Sequence, residues 1–481
     1  MRTNVILRYT GMVVLLNAAF MFIAACVSLA GGLDSAFYAL LLSTVITASL
    51  GSFPLIFVGK SGQLTMKEGY MIVVLAWLMS CLVGMFPYLL WGGEFTVASA
   101  WFESVSGFTT TGATALHNVE ALPRGLLFWR SSTHWLGGVG VVMFAMVILP
   151  SLGRAKMTLS SAELSPMARD NYRYRAQKIV QILLMLYLGM TVTAAILLKI
   201  AGMNWFDAVN HAFSTVATGG FSTRSASIGY YDSRWIEAIV MFFMTMSGVH
   251  YGLLFATITG KHNNMFRSEV TRFYFATIAV AAACIVLSIW LSGVYPSFGE
   301  SLRRGLFQTI STITTTGFAI ADTTVWTPFS IAVLIYLMFQ CACAGSTSGG
   351  IKSDRIWLAM KVLKARLLLQ QHPNAVIRIK LNNVSQDNSV VNFAMFFIVL
   401  YILIVLAGTL VVTAAGMDLT TGFSMVAASM GNIGPGFGTV GSMADYAHVS
   451  PFVKTFCTLF MLLGRLEIFG LIQLFMIKWW R

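Results

Sequence analysis

Four short runs of hydroxyl-bearing and small residues, each closing on glycine between long apolar stretches, have the types and spacing in this chain that could do chemistry. They are Ser106-Gly-Phe-Thr-Thr-Thr-Gly112-Ala113, Phe213-Ser-Thr-Val-Ala-Thr-Gly219-Gly220, Ser311-Thr-Ile-Thr-Thr-Thr-Gly317-Phe318 and Ala428-Ser-Met-Gly-Asn-Ile-Gly434-Pro435. Gly112, Gly219, Gly317 and Gly434 follow one another at 107, 98 and 117 residues, a period that marks an internally repeated architecture. One Thr-Gly pair is only a turn; four of them between spanning helices ask for a common purpose. The chemistry they offer is coordination by oxygen, since carbonyls from four segments can form rings that replace the hydration shell of a small cation. Glycine at the apex takes positive φ without a Cβ penalty, which lets those carbonyls face an axis.

The surrounding chain must position these runs inside a bilayer. Of 481 residues, 57% are hydrophobic and only 10% charged, and the mean hydropathy is +0.76, the composition of a polytopic membrane protein. Ten spans are expected, at roughly 9–30, 36–58, 70–91, 125–149, 179–201, 235–259, 271–292, 328–350, 389–414 and 452–478. The first has no small-residue cleavage pattern before it and more spans behind it, so it reads as a span and not as a signal peptide. An even number of spans puts both termini on one side. With 59–69, 150–178, 260–270 and 351–388 on that side, it holds most of the Lys and Arg, among them Arg169, Arg173, Arg175 and Lys178. The positive-inside rule then places the termini in the cytoplasm and the glycine runs outside. The net charge of +13 is mostly this orientation signal; no soluble basic domain exists to bind nucleic acid. The six cysteines lie in or beside apolar segments without metal-ligand spacing and read as small buried hydrophobes.

The segments 95–110, 205–217, 301–313 and 417–430 are too apolar for ordinary external loops, and each holds a helix-compatible stretch before its glycine. A half-helix that dips into the membrane and returns as extended chain survives only where its backbone is packed in protein or lines a water-filled path. Its C-terminal end points a negative dipole end toward that path.

The unit span, re-entrant loop, span, four times in one chain with one glycine per loop, resembles the Trk/Ktr/HKT superfamily of potassium transporters, and within it the TrkH/TrkG type of bacterial membrane subunit. Thr109-Thr-Thr-Gly-Ala-Thr, Phe213-Ser-Thr-Val-Ala-Thr-Gly-Gly-Phe-Ser-Thr, Thr314-Thr-Thr-Gly-Phe and Asn432-Ile-Gly-Pro-Gly look like the family's filter segments. His134-Trp-Leu-Gly-Gly-Val-Gly, Cys343-Ala-Gly-Ser-Thr-Ser-Gly-Gly-Ile-Lys and Leu463-Gly-Arg-Leu-Glu-Ile-Phe extend the likeness over essentially the whole chain. The resemblance implies an all-α polytopic protein, with two additional N-terminal helices (1–68) and four pore units at 69–153, 154–262, 263–372 and 373–481. It implies gated potassium uptake across a bacterial inner membrane, by a homodimer under the control of a cytosolic TrkA-like nucleotide-binding ring. No enzyme chemistry and no bound cofactor are implied; potassium is the substrate. The filter residues it implies are Thr110, Thr111 and Gly112; Ala217, Thr218 and Gly219; Thr315, Thr316 and Gly317; Asn432, Ile433 and Gly434. Ala217 and the Met430-Gly-Asn-Ile run depart slightly from the family pattern. In this superfamily serine at the first-loop glycine is associated with sodium, so glycine at all four favours potassium.

Two anomalies remain. Gly345, Ser346, Thr347, Ser348, Gly349 and Gly350 interrupt what would otherwise be a span interior, and each glycine costs a helix ~1 kcal/mol relative to Ala. The run is either a helix end entering the cytoplasm or a loop beneath the filter; the resemblance favours a gating loop, with Lys352 near the path. Arg465 falls near the middle of the last expected span, and an intramembrane charge is a functional-site hypothesis. Glu467 is two residues away on another helix face, so Arg465 is expected to face the pore as a barrier while Glu467 bonds elsewhere. His134, His211 and His250 show no ligand spacing and read as packing residues. The basic segment 154–178 reads as a solvated loop facing lipid headgroups, and it and 351–388 are also candidate docking surfaces for the cytosolic ring that the resemblance implies. The alternative is a proton- or sodium-coupled secondary transporter, but proton coupling would want midplane acids in several spans and only Glu467 clearly qualifies.

Overall fold

A computed structural model describes residues 2–59, 65–140, 166–260 and 264–475. The described chain is helical apart from its loops and one antiparallel hairpin, Lys380–Leu381 against Val384–Ser385. Helices α1 (Thr3–Ala30) and α2 (Phe37–Phe57) pack along each other, and α3 (Met66–Gly84) lies against α1 before continuing as α4 (Phe86–Trp91). Then come α5 (Val97–Phe108), α6 (124–140), α7 (Pro166–Ile200), α8 (Trp205–Val216), α9 (Arg234–Ser247) and α10 (Tyr251–Ile258). The rest are α11 (Glu269–Leu291), α12 (Phe298–Ile313), α13 (Pro328–Gln340), α14 (Ser353–Gln371), α15 (Asn388–Ala414), α16 (Leu419–Gly431), α17 (Pro451–Arg465) and α18 (Phe469–Phe475).

Four of these helices, α5, α8, α12 and α16, have 12, 12, 16 and 13 residues. At 1.5 Å per residue the shortest reach about 18 Å, too short for a hydrocarbon core of about 30 Å. Each opens on a side-chain cap: Thr96 accepts from the Ser99 N–H, Asn204 from Asp207, Ser297 from Glu300 and Asp418 from Thr421. Such caps satisfy donors that the first turn leaves bare, so a short helix can start sharply. Their C-terminal halves are buried nearly all round, as expected of helices surrounded by protein.

Six described helices are long and apolar enough to cross a membrane, and α9 with α10 makes a seventh, bent by 109°. Their outer faces carry exposed residues such as Phe53, Ile56, Ile200, Leu291 and Leu410, the surface a lipid solvent asks for. Three expected spans are corrected. The stretch 235–259 breaks between Ser247 and Tyr251, 328–350 ends as helix at Gln340, and 452–478 breaks after Arg465. The positive φ angles of Cys341, Glu467 and Ile468 stop the second and third of these. The last nine residues of the expected span 125–149 and the end of 452–478 lie outside the described residues, as does the basic stretch up to residue 165.

Glycine sets the closest contact between the two N-terminal helices. A Cβ on Gly11 would fall 2.7 Å from the Gly51 carbonyl oxygen, and one on Gly51 would fall 3.0 Å from that of Gly11, the small-residue contact that lets membrane helices approach. Gly51→Leu is therefore expected to force α1 from α2 at about 1–3 kcal/mol of overpacking. Thermal unfolding in detergent reads this as a lowered midpoint, and an unchanged midpoint would contradict the close contact.

Candidate ion-coordinating site

The four short helices end alike. The backbone turns left-handed at Thr110 (φ 52°), Thr218 (54°), Thr315 (59°) and Asn432 (54°), and again two residues later at Gly112 (81°), Gly220 (87°), Gly317 (76°) and Gly434 (92°). The residue between closes a bond five residues back into the helix: Thr111 N–H to Ser106 O, Gly219 to Ser214, Thr316 to Ser311 and Ile433 to Ala428, at 2.8–2.9 Å. This shared helix end, of the Schellman kind, fixes the register. It also corrects the second run by one residue. Gly220, not Gly219, stands where Gly112, Gly317 and Gly434 stand, and Ala217 occupies the helix-terminal place of Thr109 and Thr314.

The four runs interlock in a closed circuit. A Cβ on Gly112 would strike the carbonyl oxygen of Gly219, one on Gly220 that of Thr316, one on Gly317 that of Ile433, and one on Gly434 that of Thr111, each at 2.5 Å or closer. Glycine is needed here twice over, for the positive φ and for the neighbour's oxygen. Among the described residues, no N–H or hydroxyl donates to the carbonyls of 110–112, 218–220, 315–317 or 432–433. Tyr446 Oη donates to Gly434 O at 2.8 Å. Buried carbonyls are nearly always satisfied, so a ring of bare ones at the ends of four helix dipoles offers the kind of oxygens that coordinate a cation.

Contacts from outside the circuit hold it. Behind the second run, His134 stacks on Phe221 at 4.0 Å between centroids, and the Arg130 guanidinium lies 3.6 Å from the centroid of the same ring. Arg130 Nη1 donates to Ser222 O at 2.9 Å, while its Nε bonds the fully buried Glu103. His134 meets Ser214 Oγ at 3.3 Å, and His211 bridges Asp207 O and Ser222 Oγ. The histidines are thus hydrogen-bonded packing residues. At the outer rim Glu120 accepts from the Ser225 N–H at 2.9 Å. Burial would raise its carboxyl, but the two Ser225 bonds outweigh that and hold it below its usual range, leaving a negative group on this loop.

Residues 341–352 pass beneath three of the runs. Thr218 Oγ1 donates to Thr347 Oγ1 at 3.1 Å, the Gly349 N–H donates to Thr315 Oγ1 at 3.2 Å, and a Cβ on Gly349 would strike the Asn432 side chain. Gly345, Ser346, Ser348 and Gly350 complete this loop; Ser346 Oγ turns inward to Cys343 O, and Gly350 packs on Cys341. The loop's edge is stitched to the break between α9 and α10 by Cys343 N–H to Gly248 O and Tyr251 N–H to Gly345 O. Arg465, 4% exposed, donates from Nη1 to Thr347 O at 2.6 Å and from Nη2 to Gly137 O at 3.2 Å. It sits at the C-terminal end of α17 and not in mid-helix, which corrects its expected place. Glu467 bonds elsewhere, to Arg355 at 2.8 Å, with the Lys352 ammonium 3.8 Å away. Sequence reasoning missed Gly220 as the apex and the Glu103, Arg130, Phe221 and His134 group. The Gly219-Gly220 pair carried the first signal; the second joins distant segments and left none.

The family model described as "TrkH: Cation transport protein" matches residues 37–479. Among curated relatives, the Trk system potassium uptake protein TrkH of Halomonas elongata is 36% identical over 100% of both chains. TrkH of Salmonella typhimurium is 37% identical over 88% of both, and TrkG of Escherichia coli 33% over 88% of this chain and 87% of its own. The crystal structure of the potassium transporter TrkH from Vibrio parahaemolyticus superposes with a TM-score of 0.90, at 32% identity and 100% coverage of both chains.

The two adjacent glycines differ in what they face. A Cβ on Gly219 would meet the His134 ring first, whereas one on Gly220 meets the Thr316 backbone. Adding Gly219→Ala should therefore cost about 1–3 kcal/mol in the native background and little in a His134→Ala background. Gly220→Ala should cost the same in both. A double-mutant cycle of unfolding midpoints reads the coupling, and equal coupling for both glycines would contradict the register.

Proposed function

The chain belongs to the TrkH family of cation transport proteins and is a transporter, not an enzyme; on that premise we propose that it takes up potassium through a gated pore lined by the four glycine runs. The observation that carries this reading is the closed circuit of donor-free carbonyls at Thr111, Gly219, Thr316 and Ile433. In this reading the carbonyls of 110–112, 218–220, 315–317 and 432–433 replace the ion's water shell, and selectivity follows from their number and field strength. Four units, 69–153, 154–262, 263–372 and 373–481, surround the pore with fourfold pseudosymmetry, and 1–68 adds two helices at the rim. The protein lies in a bacterial inner membrane with both termini cytoplasmic, works as a homodimer, and answers to a cytosolic TrkA-like nucleotide-binding ring. Its relatives' names as potassium uptake proteins support the substrate.

Residues 345–352 act as the gate in this reading, and Arg465 as both latch and barrier. Its hydrogen bond to Thr347 O holds the loop against the runs. A guanidinium ~4 Å from a potassium ion repels it by about 4 kcal/mol at an effective dielectric of ~20. Water in the path would reduce that to about 1–2 kcal/mol, roughly five- to thirtyfold in ion occupancy.

Flux into liposomes containing the purified protein, ranked for potassium, rubidium and sodium with and without an imposed pH gradient, tests the reading. Potassium and rubidium are expected to pass far faster than sodium, with no dependence on the pH gradient. Equal fluxes would overturn the potassium filter, and a pH-driven flux would favour a proton-coupled transporter. In the same assay Arg465→Ala is expected to raise flux per folded molecule severalfold while the ion ranking stays. Arg465→Lys should keep most of the barrier, and a folded but inactive Ala variant would contradict the barrier role.

A further inference from the structure

The four short helices share a position that the filter reading does not use. Six residues before the helix-terminal Thr109, Ala217, Thr314 and Gly431 stand Glu103, His211, Gln308 and Met425, all buried. In the first helix Glu103 accepts from Thr114 Oγ1 at 3.2 Å and from the Ala115 N–H at 2.9 Å. In the second, His211 uses Nδ1 on its own helix at Asp207 O and accepts at Nε2 from Ser222 Oγ, 2.9 Å away. Thr114 and Ser222 each lie two residues beyond the apex glycine, at Gly112 and Gly220. A side chain of the helix thus struts the strand that leaves the ring.

The other two helices lack that direct strut. The fourth has Met425 opposite Gly436, and Ser424 Oγ takes over by accepting from the Phe437 N–H at 2.8 Å. The third has Gln308 opposite Ala319, which offers no side-chain partner. Gln308 is 4% exposed, and its Oε1 is buried without a hydrogen-bond partner among the described residues. A buried amide oxygen left so is costly. Beside it lies a cavity of about 10 Å³ that Thr312, Gly317, Thr323, Ile433 and Gly436 also line. That is room for about one water, which needs two to four polar partners to stay. Thr312 Oγ1 donates to Gln308 O, and Thr323 Oγ1 to Ser442 Oγ, so both threonines keep lone pairs free to accept.

We infer that Gln308 holds one water molecule in this cavity, and that the pair struts the ring at Gly317 and Ile433 as Glu103 and His211 strut it in the first two runs. The water donates to Gln308 Oε1 and to a threonine hydroxyl. Gln308 is then a positioning residue for ion discrimination: it touches no ion, but it keeps the carbonyls of Thr316 and Ile433 from shifting to fit a smaller one. This rests on the potassium-filter reading.

Gln308→Met keeps the length, removes the amide and matches the fourth helix. The potassium-to-sodium flux ratio in liposomes is expected to fall roughly three- to tenfold, the weight of about one hydrogen bond, with the unfolding midpoint nearly unchanged. Gln308→Glu keeps an acceptor, as Glu103 does, and should retain most of the ratio. An unchanged ratio in folded Gln308→Met overturns the inference. So does a density map of the native protein, at a resolution that shows waters, without a water in reach of Gln308 Oε1; that map decides the matter if the Met variant fails to fold. A native protein that does not discriminate potassium from sodium would instead overturn the filter reading, leaving the water to be judged by the map.

Discussion

A carbonyl at membrane depth must find a donor or a cation, and the structure turns on the places where this chain supplies no donor. Four helices stop partway across the bilayer, and their last turns close on themselves through the bonds to Ser106, Ser214, Ser311 and Ala428. Those bonds use up the amides and leave the next carbonyls bare. Each bare oxygen then lies where a neighbouring glycine lacks a Cβ, so no run can be moved without its neighbour. Interlock of this kind is rigid in the way packed interiors are, and a rigid ring can weigh one ion radius against another.

The same logic extends downward. The helix that follows each of the four short ones carries a glycine or a break: Gly137 and Gly138 in α6, Gly248 after α9, Cys341 after α13, Arg465 at the end of α17. A Cβ on Gly137 would strike the Phe108 carbonyl oxygen, and one on Gly248 the Tyr274 hydroxyl. Small residues there admit the short helices and the 341–352 loop. Hydroxyls and amides of that loop make the contacts to Thr218 and Thr315, single hydrogen bonds worth about 0.5–1.5 kcal/mol each. The loop is tied on its far side to Gly248, Tyr251 and Arg465, whereas its contacts to the ring are these few hydrogen bonds and the ring itself is interlocked by backbone.

Local signals made much of this legible. The closing glycines mark where each run turns, and the helix-compatible stretch before each is the short helix that Thr96, Asn204, Ser297 and Asp418 cap. Adjacent glycines blurred the second run: Gly219 and Gly220 both permit positive φ, and only the left-handed Thr218 in the folded chain decides between them. Hydropathy carried the expected spans through Gly248 and past Gln340, because an apolar sequence is equally apolar on either side of a bend. The break after Arg465 rests on positive φ at Glu467 and Ile468, an unusual state for a β-branched residue and one no pattern announces. The Arg130, Phe221 and His134 stack joins positions about ninety residues apart, beyond the reach of any local rule.

The central claim is that a cation sits among the carbonyls of Thr111, Gly219, Thr316 and Ile433. Crystals grown with rubidium and measured at its absorption edge test this directly. The account predicts an anomalous peak inside the circuit, with these four oxygens as its nearest protein atoms, and no such peak when sodium replaces rubidium. Rubidium bound elsewhere, with the ring carbonyls turned toward protein donors, would contradict it.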